Sequence, residues 1–314
     1  MKGMAMGMAE VVPGVSGGTI AFITGIYERL LHVIKSVGPG LWGDFRKGGL
    51  KGLWTAIDGV FIFNLMLGMV AGIIIGVFGI TWLLEHYPVI LWGFFFGLIL
   101  SSAIYVARQI SSWSITEVIL LALGTFIAVS ITLMAPAEGS VNAVSLFFAG
   151  AIAVSALIMP GISGSFILLL MGMYTIVVPH VKEAIKGSME SIQITLIFMA
   201  GCVVGLFSLA HVLSWLFKHF RTKILALLTG FILGSLNKIW PWRNPSVWVD
   251  SDGNVITDRL EALLVDARLV REVNVLPAQF DGEPYMMLTT ICLIFGFFIV
   301  FVLERVDTRK VAEQ

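Results

Sequence analysis

Charge is what this sequence has least of. Asp, Glu, Lys and Arg together make up 13% of its 314 residues, about half the share of an ordinary soluble domain. Such a chain cannot cover the surface of a water-soluble globule. With 58% hydrophobic residues and a mean hydropathy of +0.94, the expected class is a polytopic helical membrane protein. Twenty basic residues balance twenty acidic ones, so no net positive field draws the chain to nucleic acid. Cysteine is nearly absent. Cys202 and Cys292 lie in apolar runs, which fits packed thiols better than a disulfide or a metal site. The five histidines stand mostly at the ends of apolar segments, with His211 the exception inside one, and Met4, Met6 and Met8 alternate with small residues as packing groups do. Neither a metal nor a cofactor is expected. Before Pro13 there is only Lys2 and a Met/Ala/Gly-rich run, so no cleavable signal peptide is expected.

About 20 apolar residues are needed to cross roughly 30 Å of hydrocarbon. Six stretches reach that length, at about 57–84, 88–108, 115–135, 191–217, 222–240 and 286–304. Two more apolar regions, about 3–34 and 142–180, are each interrupted near the middle by Pro-Gly-x-Ser-Gly. The first has too few residues before Pro13 for a crossing and reads as a re-entrant hairpin of two half-length helices. The second is read by analogy, although 142–159 alone almost spans. The stretch 241–285 is polar, with eight acids and four arginines, an Asp252-Gly253 turn signal and an amphipathic run from Asp258 to Val270. It reads as a solvated extramembrane insertion too small for an enzyme core. Trp42, Trp54, Arg46, Lys47 and Lys51 mark 38–56 as an interfacial segment.

The chain repeats itself. Pro13-Gly14-Val15-Ser16-Gly17-Gly18 recurs 147 residues later as Pro160-Gly161-Ile162-Ser163-Gly164-Ser165, and the same spacing matches Gly25 with Gly172 and Tyr27 with Tyr174. After a slip in register, Ala71-Gly72, Gly76 and Phe78 match Ala200-Gly201, Gly205 and Phe207; His86 matches His219 and Gly97 matches Gly230. We read two homologous halves, 1–140 and 141–314, each one hairpin and three transmembrane helices. An odd number of crossings makes the repeat inverted. The distribution of Lys and Arg agrees. With the N-terminus inside, Lys35, Arg46, Lys47, Lys51, Arg108, Lys218, Arg221, Lys223, Arg305, Arg309 and Lys310 are all cytoplasmic, whereas the loops at 85–88 and 136–141 carry no basic residue. Inverted repeats with broken helices are a transporter architecture.

Irregular backbone at membrane depth survives only against protein or a water-filled cavity. Proline suits the first turn of the returning half-helix, and glycine lets a ligand approach bare backbone. Amides at the starts of the returning half-helices favour an anion. The expected phosphate-binding set is Gly14, Ser16, Gly17, Gly18 and Thr19 from one half, and Gly161, Ser163, Gly164 and Ser165 from the other, converging on one site. The competing reading, Gly/Ser/Pro packing between close helices, does not need serine in both copies. Glu10 lies three residues before Pro13 in an apolar run, and intramembrane carboxylates default to functional roles. Glu28 and Arg29 follow the hairpin, where snorkelling to the interface competes with function. The repeat places Leu157 opposite Glu10, Phe166 opposite Thr19, Thr175 opposite Glu28 and Ile176 opposite Arg29. Ionisable groups near the hairpins thus belong to the first half alone. Two symmetric ends bind but give no direction, so Glu10 is the expected coupling group, with Glu28 and Arg29 in coupling or gating. The coupling ion is a proton or sodium.

The run Ala9-Glu10-Val11-Val12-Pro13-Gly14-Val15-Ser16-Gly17-Gly18-Thr19, with Gly25-Ile26-Tyr27-Glu28 and the second copy ending in Gly172-Met173-Tyr174, resembles the polyprenyl-phosphate transporter family of prokaryotic membranes. The resemblance covers nearly the whole chain except 241–285. It implies a non-enzymatic flippase in the bacterial cytoplasmic membrane that returns undecaprenyl phosphate to the inner leaflet for envelope polymer synthesis. Where the family usually carries Asp before the first motif, this chain has Glu10. A lipid phosphate has a head the bilayer rejects and a tail that can stay in lipid, so a polar notch open sideways is enough. Two other functions compete. A small-anion transporter would use the same helix ends. A lipid-pyrophosphate phosphatase uses a similar Pro-Gly-x-Ser-Arg-Ser stretch, but Gly17 and Gly164 stand at the arginine position, which removes the charge stabilisation that phosphoryl transfer needs.

Overall fold

The computed structural model describes residues 1–12, 15–38, 40–134, 141–249, 255–264 and 268–312. Gly14, most of the 136–141 loop and the Asp252-Gly253 turn lie outside these. In chain order the helices are α1 (Lys2–Val11), α2 (Gly17–Ile23), α3 (Tyr27–Ser36), α4 (Leu41–Ala56), α5 (Gly59–Ile75), α6 (Thr81–His86), α7 (Pro88–Arg108), α8 (Ile115–Leu133), α9 (Ala143–Ile158), α10 (Gly164–Leu170), α11 (Tyr174–Ile185), α12 (Met189–Ser235), α13 (Arg259–Leu264) and α14 (Met286–Ala312). A π-helical turn at Gly76–Ile80 joins α5 to α6.

Each interrupted region contains three helices where two half-helices are expected in the first. The reason is a glycine. Gly25 and Gly172, partners in the repeat, take φ of 69° and 66°, which glycine adopts at no steric cost. Each ends a short helix and lets the chain start another, and α10 and α11 meet at a bend of 113°.

Gly59–His86, Pro88–Arg108 and Ile115–Leu133 are long and apolar enough to cross a membrane, close to three of the expected stretches. Ser114 starts the last of these through a capping box with Glu117. The stretches expected at 191–217 and 222–240 are joined in α12, whose 47 residues would measure about 70 Å if straight. That is more than twice the hydrocarbon thickness, and the helix breaks at Phe220 (φ −135°, ψ 39°). Tyr87, its repeat partner between α6 and α7, has φ −138° and ψ 52°. The same chemistry precedes both breaks. Trp82 stacks on His86 at 4.7 Å and Trp215 packs on His219 at 4.9 Å, and each histidine Nδ1 lies 2.9 Å from that tryptophan's carbonyl oxygen. The apolar part of α14 covers Met286–Val302. Large apolar side chains such as Phe63, Leu67, Phe126, Leu196 and Val204 point outward, a surface only lipid can cover. The chain is a multi-pass membrane protein.

Glycines close the helix contacts, and they do so in register with the repeat. A Cβ on Gly72 of α5 would run into the Met4 carbonyl of α1, and one on its repeat partner Gly201 of α12 into the Phe147 carbonyl of α9. Likewise Gly97 of α7 lies on the Leu293 carbonyl of α14, and Gly230 of α12 on the Leu121 carbonyl of α8. The last helix of each half therefore packs on a helix of the other half, and the halves interlock. Small residues of this kind let backbones approach closely.

Within 241–285, β1 (Arg243–Val249), β2 (Val255–Ile256) and β3 (Arg268–Asn274) form an antiparallel sheet in the order β2-β1-β3. The amphipathic run from Asp258 divides into α13 and the start of β3. Trp240 Nε1–H donates to the Val275 carbonyl and Asn274 Nδ2–H to the Asn237 carbonyl, both at 2.9 Å. These bonds tie the sheet to the end of α12.

Candidate functional site

In the first motif α1 leads into the break and α2 leads back. Lys2 Nζ donates to the Thr24 carbonyl at 2.7 Å, which puts the start of α1 beside the end of α2. Ser16 is the N-cap of α2, and its Oγ accepts from the Gly18 N–H at 3.1 Å. The Gly17 N–H donates to Glu10 Oε1 at 2.8 Å. A Cβ on Gly17 would run into that carboxylate. The anion that meets the first returning helix is thus the protein's own side chain.

In the second motif Gly161 turns the chain with φ of 84°. Ser163 caps α10 by accepting from the Phe166 N–H at 3.4 Å, and its Oγ shares a 3.1 Å hydrogen bond with Ser165 Oγ. Gly164 packs against the Ala153 carbonyl. Leu157 stands where the first half has Glu10, so no carboxylate from α9 fills this end.

The two breaks touch. The Gly161 N–H donates to Thr19 Oγ1 at 2.9 Å, and Ser16 Oγ donates to the Met159 carbonyl at 3.5 Å. A Cβ on Gly18 would come within 2.6 Å of the Ile158 carbonyl oxygen. Of the residues expected at one place, Glu10, Ser16, Gly17, Gly18, Thr19, Gly161, Ser163, Gly164 and Ser165 are brought together. Glu28 and Arg29 are not. Glu28 pairs with Arg221 beside the Phe220 break at 2.7 Å. Arg29 Nε donates to Asp58 at 2.7 Å and its guanidinium lies 4.4 Å from the Phe61 ring centre; this hydrogen bond holds the Asp58 carboxyl below its usual range.

The two ends differ in access. Ser16 and Thr19 are 2% and 1% exposed, and all of α2 is buried. Ser163 is also buried, at 9% exposed, but Ser165 beside it is exposed, and Ser163 lines a cleft with Ile131, Thr132, Phe166, Ser235 and Lys238. Its cavity of about 20 Å³ holds one water. Lys238 Nζ lies 4.9 Å from the Phe166 ring centre. The expectation that ionisable groups near the hairpins belong to the first half alone is therefore wrong: a lysine reaches the second hairpin from the end of α12. The signal was present, since Lys238 is a charged residue inside the apolar stretch 222–240.

Residues 6–256 match a family model described as undecaprenyl phosphate translocase-like. The chain belongs to that family. Two curated relatives, both named polyprenyl-phosphate transporter, are similar to it. One from Vibrio cholerae is 45% identical over 257 residues, covering 82% of each chain. One from Staphylococcus aureus is 29% identical over 256 residues, covering 77% of this chain and 85% of its own. No solved structure matches. The family match takes in both broken motifs and stops inside the sheet of the insertion.

Proposed function

We propose that this chain moves polyprenyl phosphate across the bacterial cytoplasmic membrane, from the outer to the cytoplasmic leaflet, and so returns a lipid carrier to envelope polymer synthesis. The observation that carries the reading is the meeting of the two broken motifs beside a cleft lined by the hydroxyl-bearing Thr132, Ser163 and Ser235 and by the apolar Ile131 and Phe166. A phosphate needs donors, a prenyl tail needs apolar surface, and a cleft of this composition offers both. Names of the relatives support the same substrate. In this reading both termini are cytoplasmic, 241–285 is extracytoplasmic, and six crossings arise when α12 is divided at Phe220 and α14 is counted with the three spans before α9. The two halves are inverted repeats whose hairpins enter from opposite sides. Phosphate is held by the Ser16–Thr19 and Gly161–Ser165 motifs, and Glu10 carries the coupling proton. Hydrolysis is disfavoured because Gly17 and Gly164 stand where a phosphatase motif has its arginine, and at Gly164 the Ala153 carbonyl leaves no room for a side chain.

Purified protein in vesicles is expected to move labelled polyprenyl phosphate between leaflets, while polyprenyl pyrophosphate and a phospholipid stay in place and no phosphate is released. Movement of inorganic anions without lipid movement would replace this reading with a small-anion transporter.

Ser16→Ala and Ser163→Ala each remove one hydroxyl that can serve a charged acceptor, worth about 1.5–3 kcal/mol. Each is expected to weaken lipid-phosphate binding about ten- to a hundredfold, with the fold kept and a modest loss of thermal stability from the missing N-cap. Normal transport by both variants means the serines only pack the breaks.

Topology is tested in a background with Cys202 and Cys292 replaced. A membrane-impermeant thiol reagent added outside cells is expected to label Glu283→Cys in the insertion and to spare Lys47→Cys in α4. Labelling of both, or of the second alone, overturns the inverted arrangement.

A further inference from the structure

The sheet-side mouth of the cleft carries an imbalance of charge. Lys238 and Arg243 lie close together where α12 gives way to β1, and one carboxylate, Glu272, serves both. That carboxylate is taken by Arg243, whose Nη1 sits 2.7 Å from it with the arginine side chain 9% exposed. Arg243 also stacks over Trp92 at 4.6 Å, and its Nε is buried without a hydrogen-bond partner among the described residues. Lys238 has no acidic partner within ion-pair distance among the described residues. Its neighbours are the Phe166 ring, the hydroxyl-bearing Thr132, Ser163 and Ser235, and apolar side chains. A half-buried ammonium in this position is short of an anion.

The hydroxyls around it are already committed. Ser235 Oγ donates to the Ile232 carbonyl, and Thr132 Oγ1 donates to the Val129 carbonyl and accepts from Asn237 Nδ2; being neutral, neither hydroxyl offsets the charge of a lysine. Ser163 Oγ shares its bond with the exposed Ser165 and can turn toward an incoming oxygen. The repeat offers no second cation of this kind: the Gly97–Gly230 register places Tyr105 opposite Lys238.

We propose that Lys238 is the first binding point for the phosphate monoester of the lipid, received at the sheet-side mouth of the cleft with Ser163 as second donor. The inference rests on the polyprenyl-phosphate reading above and adds to it a charged residue and a side. A cavity the size of one water admits the phosphate only if the Lys238–Phe166 contact opens, so the ring leaves the ammonium as the phosphate takes its place. The exchange swaps a cation–π contact for a charge-assisted hydrogen bond. It also leaves binding weak enough for release.

The test uses the full chain in nanodiscs, with equilibrium binding of a fluorescent polyprenyl phosphate and, separately, of inorganic phosphate. Lys238→Gln is expected to weaken polyprenyl-phosphate binding about ten- to a hundredfold, whereas Lys238→Arg, which keeps the charge, stays within about threefold of wild type. Thermal unfolding of both variants separates lost binding from lost folding. Equal binding by Lys238→Gln and wild type overturns the proposal and leaves the transport reading standing. Lys238-dependent phosphate binding in a protein that moves no lipid supports the anion site and overturns the transport reading. Loss of binding in Lys238→Arg to the same degree as in Lys238→Gln, with folding intact, overturns a charge-based role.

Discussion

Glu10→Gln is expected to bind polyprenyl phosphate as wild type does and to lose the part of transport that an imposed proton gradient drives. Glu10 Oε1 accepts the Gly17 N–H at 2.8 Å, and glutamine keeps that oxygen, so the first hairpin retains its shape. What disappears is the charge and the exchangeable proton. A carboxylate held among apolar helices alternates between a charged form that prefers the amides of the break and a neutral form that gives them up. Once Glu10 is neutral the Gly17 amide is free for another anion, and phosphate is the anion at hand. The repeat has Leu157 in this place, so the proposed switch would stand in one half only, and a single switch is enough to give direction. The measurement is transport in vesicles with and without a proton gradient. Gradient dependence that persists in Glu10→Gln assigns Glu10 to capping alone.

Gly97→Leu is expected to abolish folded, active protein. Gly97 lies against the Leu293 carbonyl, and Gly296 of α14 lies in turn against Phe94 of α7. Two backbones in contact cannot admit a branched side chain without separating along the whole seam. Overpacking in ordinary cores costs about 1–3 kcal/mol, and a seam with backbone on both faces has no flexible side chain to give way. Gly230→Leu should match it, because the Leu121 carbonyl occupies the same position opposite Gly230. Gly79→Ala is the control. Nothing lies within 4 Å of a Cβ there, so its melting temperature should stay at or slightly above that of wild type. A Gly97→Leu protein that melts with wild type would show that the halves do not interlock through this seam.

Much of the fold was legible along the chain. Span length follows from the thickness of hydrocarbon, which is why Gly59–His86, Pro88–Arg108 and Ile115–Leu133 fall close to the apolar stretches that predict them. The repeat was legible because its register is kept by residues with local duties: Gly25 and Gly172 turn the chain, and His86 and His219 each set a ring nitrogen on the carbonyl of the tryptophan four residues before. The third helix of each interrupted region was missed. A glycine inside an apolar run reads equally well as helix interior, and the φ it adopts is decided by what packs around it.

Sequence by itself determined that the chain lives in a membrane, and that two of its apolar regions are interrupted by the same Pro-Gly-x-Ser-Gly 147 residues apart. Each of these is written in near neighbours, as apolar length, as a repeated order of residues or as a backbone break. Only the tertiary structure decided which partners the motifs meet. It put the Glu10 carboxylate on the Gly17 amide, set Thr19 against Gly161 across the two halves, and brought Lys238 to Ser163 from the far end of α12. Such contacts join residues distant in sequence, and which of them form depends on how glycine-lined helices of both halves pack together.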